Sequence, residues 1–254
     1  MVRIVYMFHR AQGLSRKMCQ KYWYDVHAPL VKKHAEVLGI KGYVQWHTTG
    51  NFFTIWLMRR IRKTMAPFDG AAQYWIDRDK MESALKTEKG KKAMDELISD
   101  ESRFIDFKRS AIMVTKEYHI VTDAEPNRKS PVRKMTWAGS RKPELTPEQF
   151  QNHYINNHGK LVGGYGALLG IKKYDQMHLI NDPLNKILSS SRGTGEPFLV
   201  SAEFIWDFKE MMPIKNGKEK KEAQQAIAED EKRFINFPES AIWMSDEYVI
   251  IPRK

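Results

Sequence analysis

The chain has one cysteine, Cys19, in 254 residues. That excludes an internal disulfide and the cysteine clusters that hold structural zinc. No two histidines have the His-x-x-x-His spacing of a helical metal site, and neither a glycine-rich phosphate loop nor a dinucleotide fingerprint is present. Long apolar runs are missing as well: the longest are about five residues, against the ~20 a membrane-spanning helix needs. The opening residues, MVRIVYMFHR, lack the apolar core and cleavage site of a secretory signal. Together these absences point to the cytoplasm, with no membrane partner. A net charge of +11 invites a nucleic-acid reading. The basic residues are scattered, however, and the densest run, Lys215 to Glu222, is interleaved with acids as on a solvated helix. No nucleic-acid motif accompanies them, so the expectation is no nucleic acid and a surface suited to an anionic small substrate.

What the chain does have, it has twice. His27-Ala28-Pro29-Leu30-Val31 returns 131 residues later as His158-Gly159-Lys160-Leu161-Val162. Residues 22–47 and 153–178 are identical at 10 of 26 positions, and 101–118 and 231–248 at 10 of 18, where chance gives one or two. A period this long marks a duplicated domain, not an array of short repeats. The division expected is a first repeat at 1–122, a polar linker with two prolines at 123–131 and a second repeat at 132–254.

Each copy reads strand, helix, strand, variable segment, strand, helix, strand. Val2–His9 is an apolar strand. A helix from Arg16 to about Val37 follows, capped by Ser15, with Thr146 and Pro147 opening its counterpart. Trp23, His27, Leu30 and His34 share one face of it. Gly39 and Gly170 stand where a helix ends. The next strand alternates Tyr43, Gln45 and His47 against Val44 and Trp46; the second copy alternates Tyr174, Gln176 and His178 against Asp175 and Met177. Third strands are expected near Gly70–Trp75 and Leu199–Trp206, helices near Met81–Ile98 and Lys218–Ala228, and last strands at Ala111–Val121 and Ala241–Ile251. The fold class is α+β: two ferredoxin-like βαββαβ repeats packed sheet to sheet as an intrachain barrel. On this reading the Tyr-Gln-His face points away from the helices, into the barrel lumen.

Tyr22, Trp23, His27, Ala28, Pro29, Leu30 and Val31, then Tyr43, Gln45 and His47, then Asp100, Glu101, Phe104 and Asp106 resemble the EthD-like branch of the dimeric α+β barrel superfamily. Arg10 and Arg141 match an arginine that the family places after its first strand. The resemblance implies a small, often cofactor-free enzyme acting on apolar or aromatic metabolites, with haem binding confined to more distant relatives. It also implies that such barrels often pair further, as homodimers. The second copy departs from the family pattern: His153 stands for the tyrosine, Gly159-Lys160 for Ala-Pro and Asn236 for the aspartate.

The candidate chemistry is acid–base. His47 and His178 share a face with Tyr43 and Tyr174, and a histidine beside a tyrosine hydroxyl can remove one proton and stabilise the charge that develops. His27 and His158 are read either as acid–base groups or as structural histidines bonded to a carbonyl or carboxylate. Gln45, Gln176, Trp23 and Arg10 are the expected substrate contacts. The segment after the second strand reads as a helix covering one barrel end or as a lid, with Phe53, Trp56 and Met58 as wall and Arg59 or Arg62 as anion clamp. Cys19, one turn before Trp23, is read as core. The function expected is a cofactor-free lyase, dehydratase or isomerase of a small hydrophobic, aromatic metabolite, without metal. A cofactor-independent or haem oxygenase, or a non-catalytic binding protein, is the alternative.

Overall fold

Strands form here where apolar side chains are wanted on two faces at once. The computed structural model describes residues 1–49, 62–122, 132–207 and 217–253. In it β1 (Val2–Arg10) is buried along nearly its whole length. It is joined by β2 (Ile40–Thr48), β3 (Gly70–Ile76), β4 (Ile105–Thr122), β5 (Val132–Gly139), β6 (Ile171–Leu179), β7 (Val200–Asp207) and β8 (Ala241–Ile251). All neighbours are antiparallel, and the sheet closes into a barrel in the order β1-β3-β2-β8-β5-β7-β6-β4. Each repeated half supplies four consecutive strands. The halves meet along two seams, β2 with β8 and β4 with β6. Closure pairs the edge strands that either half would otherwise expose.

Helices cover the outside. In the first half α1 (Arg16–Tyr22) passes through a π-turn (Trp23–His27) into α2 (Ala28–His34), and α3 (Arg78–Ala84) is followed by α4 (Glu88–Glu101). In the second, α5 (Pro147–His153) passes through a π-turn (Tyr154–His158) into α6 (Gly159–Gly164), followed by α7 (Pro183–Ser190) and α8 (Gly217–Phe234). The expected caps are in place. Ser15 accepts from Met18 N–H, and Thr146 forms a reciprocal capping box with Gln149. Gly39 and Gly170 take φ of 68° and 69°, the left-handed geometry that ends a helix. No described helix is long and apolar enough to cross a membrane.

Three elements differ from the sequence reading. The helix expected at Met81–Ile98 is two helices, with Thr87 capping the second; a Cβ on Gly90 would lie 2.0 Å from Ala84 O, so only glycine lets the two approach. Helix α7 has no counterpart in the sequence reading, although Asp182 caps it and Pro183 opens it. Strand β4 starts at Ile105 instead of Ala111: Met7 pairs with Ala111, the excess residues 107–110 bulge out of β4, and pairing resumes at His9 with Asp106 and Arg10 with Ile105.

The apolar side chains form three clusters. One lies between helices and sheet in the first half, including Tyr6, Phe8, Trp23, Tyr43 and Phe104. A second is its counterpart, with Trp137, Phe150, Tyr154, Tyr174 and Phe234. The third draws Val5, Met7, Val44, Trp46, Met113, Met177 and Trp243 from both halves and fills the barrel. This corrects the expected orientation. Val44, Trp46 and Met177 point into the lumen, whereas Tyr43, Gln45 and His47, and likewise Tyr174, Gln176 and His178, face the helices. The polar set finds its hydrogen-bond partners under the helix, so polarity alone was no guide to the open side.

Candidate active site

The site begins with one extra residue in a helix. Ala28 N–H bonds back to Trp23 O, five residues earlier, and Gly159 N–H does the same to Tyr154 O. Single π-turns of this kind are frequent at functional sites. Each of these carbonyls also accepts from the glutamine on the strand beneath: Gln45 Nε2 reaches Trp23 O at 3.0 Å, and Gln176 Nε2 reaches Tyr154 O at 3.1 Å.

The glutamine then sets everything around it. Gln45 Nε2 also donates to Tyr43 Oη at 2.9 Å, and Trp23 Nε1 donates to the same oxygen at 2.9 Å. A carbonyl can only accept, so the amide nitrogen is fixed and Gln45 Oε1 is the atom that faces His47 Nε2 at 2.8 Å. His47 Nε2 must therefore carry the hydrogen. That leaves a lone pair on Nδ1, which has no hydrogen-bond partner among the described residues. The second half repeats the set: Gln176 Nε2 to Tyr174 Oη at 2.6 Å, and Gln176 Oε1 facing His178 Nε2 at 2.9 Å. Burial lowers both imidazoles to a pKa of about 4, so both are neutral near pH 7. Tyr43 and Tyr174 are fully buried, and burial raises both hydroxyls well above the ordinary range. They hold the glutamine and the helix in place and lie away from the open side.

The rim of the first site is aromatic. Trp23 stacks on His47 at 4.6 Å and 13°, Tyr248 lies 4.4 Å away, and Tyr24 completes the cup at 6.4 Å from His47 and 5.2 Å from Tyr248. Tyr24 and Tyr248 are exposed. Tyr248 belongs to the other half and arrives across the β2–β8 seam, opposite Gln45. In the second site Tyr118 arrives across the β4–β6 seam and meets His178 at 5.0 Å, while Tyr154 meets it edge-on at 5.9 Å. Sequence reading missed both tyrosines. The signal was present in the matching Glu117-Tyr118 and Glu247-Tyr248.

Other candidates are placed elsewhere. His27 Nδ1 pairs with Asp100 of α4 at 2.8 Å, and Tyr22 donates to the other carboxylate oxygen at 2.6 Å. His158 pairs with Asp230 of α8 at 2.9 Å, and His153 takes the role of the tyrosine at 2.8 Å. Burial pushes both carboxyls up, but these bonds outweigh it and hold them below the usual range. The histidines are buried helix-to-helix braces in this structure. Arg10 bonds Asp69 and Leu14 O, and Arg141 reaches the equivalent Leu145 O, so each ties down the turn after its first strand. Cys19 is core, its thiol raised to about 12 chiefly by burial. Phe53, Trp56, Met58 and Arg59, and with them the lid, lie outside the described residues. Arg62 is described: it pairs with Glu231 of the other half at 2.8 Å, as Arg192 pairs with Glu101 at 2.6 and 2.9 Å.

The fit to a metal or haem can be tested on these atoms. Glu117, His119 and Asp175 are the one three-residue grouping within metal-ligand reach among the described residues. Their carboxylates already face Arg3, Arg253 and Lys173, which leaves a cation little to neutralise. For haem, His47 Nδ1 is a free nitrogen, but a macrocycle there would have to displace Tyr24 and Tyr248. The described residues do not fit it.

A search of curated protein sequences returns no match. Among solved structures, the chain is similar to a proposed monooxygenase from Fusobacterium nucleatum (11% identity, 98% of this chain and 92% of that one, TM-score 0.49). It is also similar to an EthD-family protein from Bacillus halodurans (18% identity, 46% of this chain and 99% of that one, TM-score 0.32). A third similarity is to a chlorite dismutase from Candidatus Nitrospira defluvii (9% identity, 96% and 90%, TM-score 0.44). The profile of the EthD domain matches twice, over residues 11–108 and 142–238, and the chain therefore belongs to the EthD domain family as a tandem pair.

Proposed function

We propose that this protein is a cofactor-free acid–base enzyme, a lyase of the dehydratase type or an isomerase, acting on a small flat hydrophobic metabolite held against His47. One observation carries the reading: a neutral imidazole whose tautomer is locked by Gln45, with an unpartnered Nδ1 beneath the exposed rings of Tyr24 and Tyr248. His47 Nδ1 takes the proton from the substrate. The Tyr248 hydroxyl, across the cup, hydrogen-bonds the oxygen on which negative charge develops and returns a proton as water leaves or the double bond shifts. The exposed Tyr24 and Tyr248 hold an aromatic ring by face and edge contacts, while the buried Trp23 backs His47. The same cup in the second half lacks the equivalent of Tyr24, where Ile155 stands, so the first half carries the main activity.

The test is an absorbance spectrum of the purified protein, followed by mass spectrometry of whatever small molecule accompanies it. A colourless protein carrying an aromatic compound, converted by wild type and not by His47→Ala, supports the proposal. A haem absorbance band sinks it. Oxygen uptake during turnover would instead make the chain a cofactor-independent oxygenase.

A further inference from the structure

Each half reaches into the other with one arginine. Arg192 follows α7 in the connection from β6 to β7, and its guanidinium crosses to the first half. Nε donates to Glu101 Oε2 at 2.6 Å, and Nη2 donates to Glu101 Oε1 at 2.9 Å. Arg62, in the matching connection from β2 to β3, crosses the other way and reaches Glu231 at 2.8 Å. The two pairs are unequal. The Arg192 and Glu101 side chains are only 5% and 4% exposed, and their contact is bidentate. The Arg62 side chain is 27% exposed, and Glu231 Oε2 has no hydrogen-bond partner among the described residues. A bidentate pair fixes direction as well as distance. Packing adds to it: Arg192 lies 5.6 Å over the Tyr6 ring, with Nη2 3.7 Å from Met94 Sδ.

The arginine holds the end of a helix that matters to the histidine site. Glu101 is the last residue of α4, and Asp100 is its neighbour. Asp100 braces the π-turn at both ends: one oxygen accepts from Tyr22, just before the turn, and the other pairs with His27, its last residue, at 2.6 and 2.8 Å. Between these two anchors stands Trp23. Its carbonyl accepts from Gln45 at 3.0 Å, and its ring stacks on His47. Covalent neighbours, hydrogen bonds and one ring stack thus connect a side chain of the second half to the imidazole of the first. The same order recurs from Arg62 through Glu231 and Asp230 of α8 to the second π-turn.

Among the described residues Arg192 is the ion-pair partner of Glu101 and has no substitute. Without it the carboxylate is a buried charge with nothing opposite, which proteins relieve by moving the group toward water. Asp100 moves with it, because the two are adjacent in one helical turn. A shift of about 1 Å at a reacting group is enough to cost ~100-fold in rate. We propose that Arg192 is a positioning residue for the first site: by locking Glu101 it holds Asp100 and the π-turn in place, so that Gln45 presents His47 in a single tautomer. Its effect on turnover rests on the proposed role of His47 as the base; its effect on the ring does not. The first site is then complete only when the second half's loop is docked, and the looser Arg62 pair leaves the second site less firmly held.

The test is nitrogen NMR of the histidine rings in the full chain, with His47 assigned by its loss in His47→Phe, beside steady-state kinetics. In wild type His47 should show one tautomer, hydrogen on Nε2, and a titration midpoint of about 4. In Arg192→Ala the tautomers should mix and the midpoint should rise toward the ordinary value of about 6.5. There kcat should fall about 10-fold, with KM changed by less than about 2-fold. Arg192→Lys keeps the charge and one of the two bonds; it serves if Arg192→Ala does not fold, and should move the same signals part of the way. Arg62→Ala removes the matching pair and is the control: it should disturb His178 and leave the His47 signals and kcat unchanged. Undisturbed His47 signals in both folded Arg192 variants would overturn the proposal. So would an equal disturbance of His47 by Arg62→Ala, because any loss of stability would then suffice. The two readings fail separately: if His47→Ala turns substrate over like wild type, the catalytic role falls while the spectroscopic result stands.

Discussion

The two halves hang the same three side chains from the same glutamine, yet surround the histidine differently. In the first, Trp23 lies flat on His47 and two exposed tyrosines close the cup. In the second, Tyr154 meets His178 edge-on, and Ile155 stands where Tyr24 would be. The hydrogen-bonded frame of tyrosine, glutamine, histidine and π-turn is kept in both. The surface a ligand would touch is not. Frame and contact surface are thus separable in this fold, and the frame alone does not make two equal sites.

The largest expected effect breaks the comparison outright. His47→Ala should lower turnover of the substrate found with the protein by about 10³-fold, a typical loss for a general base, whereas His178→Ala should change it less than about 3-fold. Equal losses would mean two working sites. The next tests the frame, where the halves should agree. Both imidazoles are held near pKa 4 by burial, against about 6.5 in an unfolded chain. Between those values the unfolded chain binds more protons. The stability from keeping each ring neutral is therefore complete above about pH 6.5 and is lost as the pH falls toward 4, roughly 3 kcal/mol apiece at most. Urea midpoints from pH 7 to 4 should fall less steeply in His47→Phe and in His178→Phe, by similar amounts. For the same reason wild-type activity should stay flat from pH 8 to about 5.5 and decline only as His47 is protonated.

Smaller effects sharpen the contrast. Tyr24→Ile, which gives the first cup the second's residue, should raise KM about 3- to 10-fold with kcat nearly unchanged, as expected for lost aromatic contact area. A fall in kcat instead would place Tyr24 in the chemistry. Smallest is Tyr22→His. His153 already makes the equivalent bond to Asp230, so this exchange should shift stability by under about 0.5 kcal/mol in urea denaturation.

The repeat made much of the fold legible, since matching His27-Leu30-Val31 and Tyr43-Gln45-His47 with their counterparts identified both halves and their order of elements. The capping residues Ser15, Thr146, Gly39 and Gly170 were equally readable, because a cap is a local event. The direction of the Tyr-Gln-His face was not. A period of two separates the faces of a strand without saying which meets the helices, and here the helix supplied the partners that Gln45 needed. Nor was the π-turn readable, because a single inserted residue leaves the spacing of Trp23 and His27 unchanged. Tyr248 was out of reach for another reason: its place beside His47 depends on the register of a seam between strands almost 200 residues apart, which no local pattern encodes.

The seams have a consequence for how this protein could change over time. Two identical chains closing the same barrel would have to carry every substitution in both cups at once, including the tyrosine each lends to the other. Joined in one polypeptide, the copies are released from that symmetry. One cup can keep Tyr24 while the other drifts to Ile155, and a residue such as Tyr248 evolves under the demands of a site whose histidine lies in the opposite copy.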